Sequence, residues 1–282
     1  MSIAIFAVFM TLTMMKGGFN MGVDFAGGLK LIAKFDAGVN ENDIRDILAE
    51  INPTVQQIGE PVLNEYNISV KSAPTDEGNK ENFRLIKQKL SGKYPTVKFL
   101  SEENIGPAIG DVFKRSAIKL FLLAVLLMAI YLVFRFEMKY AIGCMVALLH
   151  DEALAIAFIG FAGIEVNIPI VAALLTIFGY SVNDTIVIFD RVRENIQLMS
   201  KQDAAKLTSF EIINRSVTQT LSRTLLTNLT VFFTVGAIYF FGGEVLNDFS
   251  KVMLFGLVVG TYSTVYIASP ALLFWEKLRA KK

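Results

Sequence analysis

The sequence predicts a helical membrane protein that carries a small α+β domain outside the bilayer. Three observations lead there: 53% of the residues are hydrophobic, with 23 Phe among them; the mean hydropathy is +0.50; and a polar stretch over residues 20–112 lies between apolar runs. One soluble core cannot hide that much apolar surface, so lipid is the expected solvent.

The first apolar run covers residues 2–15. No basic segment precedes it and no small-residue cleavage site follows. It therefore reads as the first transmembrane helix, with a clipped start, over residues 1–19 rather than as a signal peptide. Residues 20–112 have the patterning of a soluble domain. Leu29 to Phe35 is a strand candidate, and Ile44, Ile47, Leu48 and Ile51 follow at helical spacing behind an Asn40 cap. Thr54 to Gly59 and Glu65 to Lys71 flank a turn around Pro61. A second helix carries Phe83, Ile86 and Leu90, and Val97 to Leu100 closes the domain as a strand. That βαββαβ order predicts a ferredoxin-like split βαβ unit, with two helices on one sheet face and the other face free to dock a partner or an extended polypeptide.

Five further runs, near 116–134, 140–162, 168–190, 217–240 and 250–275, are long enough to cross a hydrocarbon core about 30 Å thick. Six transmembrane helices result, five of them in a bundle over 113–276, followed by a tail at 277–282. Lys and Arg are retained on the cytoplasmic side of short loops. Arg135, Lys139, Arg191, Arg193, Lys201, Lys206, Arg215, Lys277, Arg279, Lys281 and Lys282 fall on one side, while the loops near Glu165 and Glu244 hold no base. Both termini are thus expected in the cytoplasm, and residues 20–112 outside.

A net charge of +1 gives no basic face for nucleic acid. The single histidine, His150, excludes a multi-histidine metal site, and the single cysteine, Cys144, excludes an internal disulfide. No Gly-x-x-x-x-Gly-Lys loop is present, so ATP is not the expected fuel.

An ionisable group at membrane depth costs several kcal/mol unless paired or hydrated, so each one is a functional candidate. Asp151 and Glu152 fall near the middle of the third span beside His150, Asp184 in the fourth and Arg223 in the fifth. Helical rise places Asp184 and Arg223 each roughly 9 Å from the inner end of its span, and Asp151 roughly 16 Å deep. Tyr180, Ser181 and Asn183 accompany Asp184, while Gln219, Thr220 and Thr227 accompany Arg223. The expectation is an Asp184–Arg223 pair between facing polar stripes, nearly neutral until protonation leaves a buried cation. It reads either as a proton relay or as a permanently ionised bridge that fixes helix register.

Three stretches resemble the SecF family, which belongs with SecD to the resistance-nodulation-division superfamily of proton-driven transporters. They are Gly22-Val23-Asp24-Phe25-Ala26-Gly27-Gly28, the run from Gly179 to Asn195 that holds Tyr180-Ser181-Val182-Asn183-Asp184, and Asn214 to Thr224 with Arg223. Leu149-His150-Asp151 and Gly106-Pro107 extend the likeness over nearly the whole chain. The resemblance implies a non-enzymatic subunit of the bacterial inner membrane that pairs with SecD and joins the SecYEG channel, with YajC and YidC as further candidate partners. It would use the proton-motive force, or a Na⁺ gradient, to help preproteins finish crossing, with no bound cofactor. By the same resemblance Asp184, Arg223 and Asp151 are proton-coupling residues, and Asp24, Gly27 and Gly28 form a structural joint. Glu152 departs from the family pattern, which has an apolar residue there.

Two rival readings fit the sequence less well. An intramembrane aspartyl protease would need Asp151 and Asp184 to share a proton, but about 7 Å separates them along the membrane normal. A small-molecule exporter of the same superfamily would carry larger outer domains. Zinc peptidase chemistry needs a second histidine.

Overall fold

The computed structural model describes residues 1–36, 38–59, 61–72, 76–198 and 207–279. Lys201, Lys206, Lys281 and Lys282, part of the expected inner-face charge, lie outside the described residues. The chain begins with α1 (Ser2–Met15), a single-turn helix α2 (Val23–Ala26), β1 (Gly28–Lys34), α3 (Glu41–Ile47), β2 (Thr54–Ile58), β3 (Glu65–Lys71), α4 (Asp76–Lys93) and β4 (Lys98–Ile105). There follow α5 (Pro107–Arg135), α6 (Met138–Ala162), α7 (Ile168–Leu198), α8 (Ser209–Phe241), α9 (Glu244–Ser263) and α10 (Ser269–Arg279).

The four strands form one antiparallel sheet in the order β2-β3-β1-β4. Alternation decides its faces, because successive side chains point to opposite sides. Leu31 and Ala33 of β1 and Ile68 and Val70 of β3 share one face, and there they bury Ile44 and Leu48 behind α3 and Ile86 and Leu90 of α4. A capping box at Asn40 and Asp43 starts α3. The second face, expected to be free, is partly engaged. Lys30 meets Asp24, and Thr54 and Lys71 bond Glu165 and Asn20 at the junction with the helical bundle.

Five helical stretches are long and apolar enough to cross a membrane: Pro107–Arg135, Met138–Ala162, Ile168–Leu198, Ser209–Phe241 and Leu246–Trp275; α1 is shorter. Several overrun the limits set by hydropathy, which marks the hydrocarbon and not the end of hydrogen bonding. Helix α5 starts at Pro107, whose fixed φ and missing N–H suit a first turn. Helix α7 continues to Leu198 through Arg191, Arg193 and Glu194, and α8 starts at Ser209 behind a Thr208–Glu211 capping box. Between α9 and α10 the helix widens into a π turn over Thr264–Ala268. Pro270 just beyond has no N–H to give back to the preceding turn, a recognised cause of such a defect.

Two apolar clusters hold the bundle. One joins Cys144, Ala147 and Leu148 of α6 to Phe178, Val182 and Phe189 of α7, and the other joins Ala155 and Ile159 to Ile177, Val252 and Leu257. Helix α1 lies against α6 with Phe9 stacked on Phe161 at 4.4 Å. Between these clusters runs a polar layer.

Candidate functional site

Asp151 is 1% exposed. Its Oδ2 accepts from Ser181 Oγ of α7 at 2.5 Å and from Ser263 Oγ of α9 at 2.6 Å, and Oδ1 meets His150 Nδ1 at 2.9 Å. Three helices therefore converge on one carboxylate. Gly260 of α9 lies beside the same group: a Cβ there would make ordinary van der Waals contact, 3.5 Å from Ser181 Cβ and 3.8 Å from Asp151 Oδ2.

Asp184 lies three residues past Ser181, about 4.5 Å further along α7. It is 5% exposed, and its Oδ2 accepts from Asn228 Nδ2 of α8 at 2.5 Å. The same amide reaches Thr261 Oγ1 of α9 at 2.8 Å. Tyr180, Ser181, Asp184, Asn228, Gly260 and Thr261 line a cavity of about 10 Å³. That is close to the space one water molecule needs, and Asp184 and the Ser181 that bonds Asp151 both line it.

The expected Asp184–Arg223 pair is not formed. Arg223 is exposed on α8 and makes no ion pair among the described residues; it borders a cavity of about 390 Å³ with Val187, Asp190, Glu194 and Gln219. The reason is register. Asp184 lies opposite Asn228, Arg191 bonds Gln219 at 2.7 Å, and Asn195 bonds Ser216 at 2.8 Å. All three contacts put α8 about one turn, or 5 Å, away from the level assumed from hydropathy, so Arg223 falls opposite Ile188. Asp190 pairs with Arg135 at 2.6 Å, and Glu194 with Arg191 at 2.7 Å.

The other expected residues divide. Ser181 is buried at Asp151, and Thr220 is buried with its hydroxyl on Ser216 O at 2.9 Å. Asn183 and Thr227 are exposed and take no part in the layer. Glu152 is 3% exposed, and among the described residues neither of its carboxylate oxygens has a hydrogen-bond partner. Sequence reasoning missed Asn228, Thr261 and Ser263. A signal for Asn228 existed: Ser216, Thr220, Thr224 and Asn228 recur every four residues on one helical face.

The motif residues Asp24, Gly27 and Gly28 lie at the outer junction. Gly28 has φ +151°, and a Cβ there would stand 2.2 Å from Val70 O; Gly27 has φ +77° against Pro107 and Ile105. Both backbones need the freedom of glycine. Glu165, in the α6–α7 loop, accepts from Thr54 Oγ1 at 3.3 Å and borders a cavity of about 280 Å³ with Lys71. Burial pushes its carboxyl above the ordinary value of 4.5, against the opposing pull of the Thr54 hydrogen bond and of Lys71.

Among the described residues no group of three or more His, Cys, Asp or Glu side chains could hold a metal ion. What the core offers is hydrogen-bonded acid groups, reached from three helices, at the depth of the apolar spans. These features define a polytopic membrane protein with a polar-cored bundle and a small outer sheet domain. Comparison with known proteins narrows the class. Residues 85–278 match the family model described as "Protein export membrane protein SecD/SecF, C-terminal". The protein translocase subunit SecF of Endomicrobium trichonymphae is 37% identical over 93% of this chain and 83% of its own length; that of Thermodesulfovibrio yellowstonii is 37% identical over 98% and 89%. The crystal structure of Thermus thermophilus SecDF, titled a translocon-associated membrane protein, superposes with a TM-score of 0.79 at 32% identity, covering 98% of this chain and 37% of that one. The chain thus spans little more than a third of SecDF, and it belongs to the SecD/SecF protein-export family.

Proposed function

We propose that this chain is the SecF half of a SecD–SecF assembly that uses the proton-motive force to help preproteins cross the cytoplasmic membrane. Its relatives are translocase subunits, and in SecDF a homologous segment is fused to the rest of one chain, which supports pairing with a separate SecD. SecYEG, YajC, YidC and the preprotein are the further partners of this reading. Helix α1 is its sixth span, the outer unit is a ferredoxin-like domain on the extracytoplasmic side, and both termini are cytoplasmic.

The observation that carries the proposal is Asp184, buried at membrane depth and held by an amide rather than by a cation. As a carboxylate it accepts from Asn228. As a carboxylic acid it carries a donor as well, and the Asn228 nitrogen cannot accept it. Gain or loss of one proton therefore changes which hydrogen bonds α7, α8 and α9 can share. The small cavity, Ser181 and Asp151 form a path for that proton toward the centre of the bundle. One charge moved through 100 mV is worth about 2.3 kcal/mol, enough to bias a two-state packing. Arg223, turned from Asp184, tunes the field near the inner end of α7 instead.

The test is export into vesicles under an imposed gradient. Asp184→Asn should leave the chain inserted and bound to SecD yet abolish gradient-dependent stimulation; undiminished stimulation sinks the proposal. Replacing the H⁺ gradient with a Na⁺ gradient should fail to support stimulation, and success would reassign the ion.

A further inference from the structure

Asp24 lies outside the Asp184 site, yet it touches the helix that carries Asp184. It is 4% exposed, on the single turn of α2. Its two oxygens serve two different bodies. Oδ2 accepts the Ile168 N–H, the first of α7, at 3.1 Å, while Oδ1 pairs with Lys30 of β1. The first N–H groups of a helix have no partner within it. Here Pro169 has none to offer, and Ile170 N–H goes to Asn167 Oδ1 at 3.1 Å, so Asp24 completes the set. A carboxylate also complements the positive end of the helix dipole. Around this contact the chain is braced: Gly22 N–H bonds Val166 O and Val166 N–H bonds Asn20 O, both at 2.8 Å. From Ile168, α7 runs unbroken to Asp184, about 24 Å at 1.5 Å per residue.

We propose that Asp24 is a positioning residue that couples the outer domain to the proton-carrying span. One oxygen grips the start of α7 and the other grips the outer sheet through Lys30, so one side chain links a shift of α7 set off at Asp184 to the sheet. Glu165, on Thr54 of β2, is a second brace at the same junction. Among the described residues Asp24, Lys30, Lys71 and Glu165 carry charge at this junction, and Lys114 of α5 lines the neighbouring cavity with Phe25 and Val166.

This inference rests on the proton-coupled reading above. Its test uses the full chain in membranes with SecD, with two readouts normalised to inserted protein: proton entry, followed by a pH-sensitive dye, and export. Lys30→Met leaves the cap on Ile168 intact and removes the hold on the sheet, whereas Asp24→Asn keeps an acceptor for Ile168 and removes the charge. In both, proton entry should stay within about twofold while gradient-driven export falls about fivefold or more, and Lys30→Arg should restore export. A merely structural role would lower both readouts together. Parallel loss, or export unchanged in both variants, overturns the proposal. Asp184→Asn run alongside separates the two ideas: its failure to reduce export sinks the proton-coupled reading, while a normal Asp184→Asn loss beside unaffected Asp24 and Lys30 variants sinks only the coupling.

Discussion

Asp151 shows what a buried acid requires of its neighbours. Ser181 and Ser263 donate to it across two helix interfaces. Deleting either donor leaves a carboxylate oxygen short of a partner where no bulk water can replace it, at a cost of about 1–3 kcal/mol. Ser181→Ala and Ser263→Ala should each lower the unfolding temperature in detergent, and an unchanged temperature would mean that water or relaxation fills the gap. Glu165 tests the outer junction. Because burial raises its pKa in the folded chain above the ordinary 4.5, folded protein binds more protons than unfolded protein just above that value. Stability should therefore fall as pH rises through that window, and Glu165→Gln should flatten the slope; an unchanged slope would place the titration elsewhere. The acids themselves were legible in the sequence, since a charge in an apolar run stands out. Their partners were not, because Asn228, Thr261 and Ser263 look like ordinary polar substitutions until register brings them together.

Register belongs to the elements. The position of α8 depends on where its first turn closes, and the Thr208–Glu211 box closes it at Ser209, eight residues ahead of the apolar run. Hydropathy alone sets the start of α8 about one turn off, and so levels Arg223 with Asp184, where Asn228 stands. The strands fared better, for Glu65 to Lys71 was readable to the residue from its alternation. Strand β4 was not, since Glu102 to Asn104 in its second half are exposed and polar at a sheet edge and carry no alternating signal. The junction of β1 makes a sharp prediction. A methyl group on Gly28 would meet Val70 O at 2.2 Å and Val23 Cγ1 at 2.9 Å, at a φ that L residues rarely adopt. Gly28→Ala should cost about 1–3 kcal/mol and speed proteolysis of the outer domain. Gly92→Ala is the control, because nothing lies within 4 Å of its added carbon and alanine suits the helix. Equal behaviour of the two variants would remove the steric argument.

At the scale of the whole molecule, two long helices are left mostly uncovered, and their chemistry differs. Only 6% of the α5 span and 17% of the α8 span are buried within the chain. From Leu120 to Phe134, α5 offers no charged or amide side chain, which suits direct contact with lipid. The exposed side of α8 carries Arg223 with Thr227, Thr230 and Thr234. The threonines at 230 and 234 return their hydroxyls to their own helix, but Arg223 has no such recourse, and a bare guanidinium in hydrocarbon is costly. The α8 face is therefore expected to be covered in the assembly. Cysteine at Thr227 should crosslink to SecD in native membranes, whereas cysteine at Leu123 of α5 should not. The one native thiol, Cys144, is buried and should contribute little background. Labelling of SecD from Leu123 but not from Thr227 would reverse the assignment of the two faces, and would leave the charge on Arg223 to be balanced from the inner cavity beside Asp190 and Glu194.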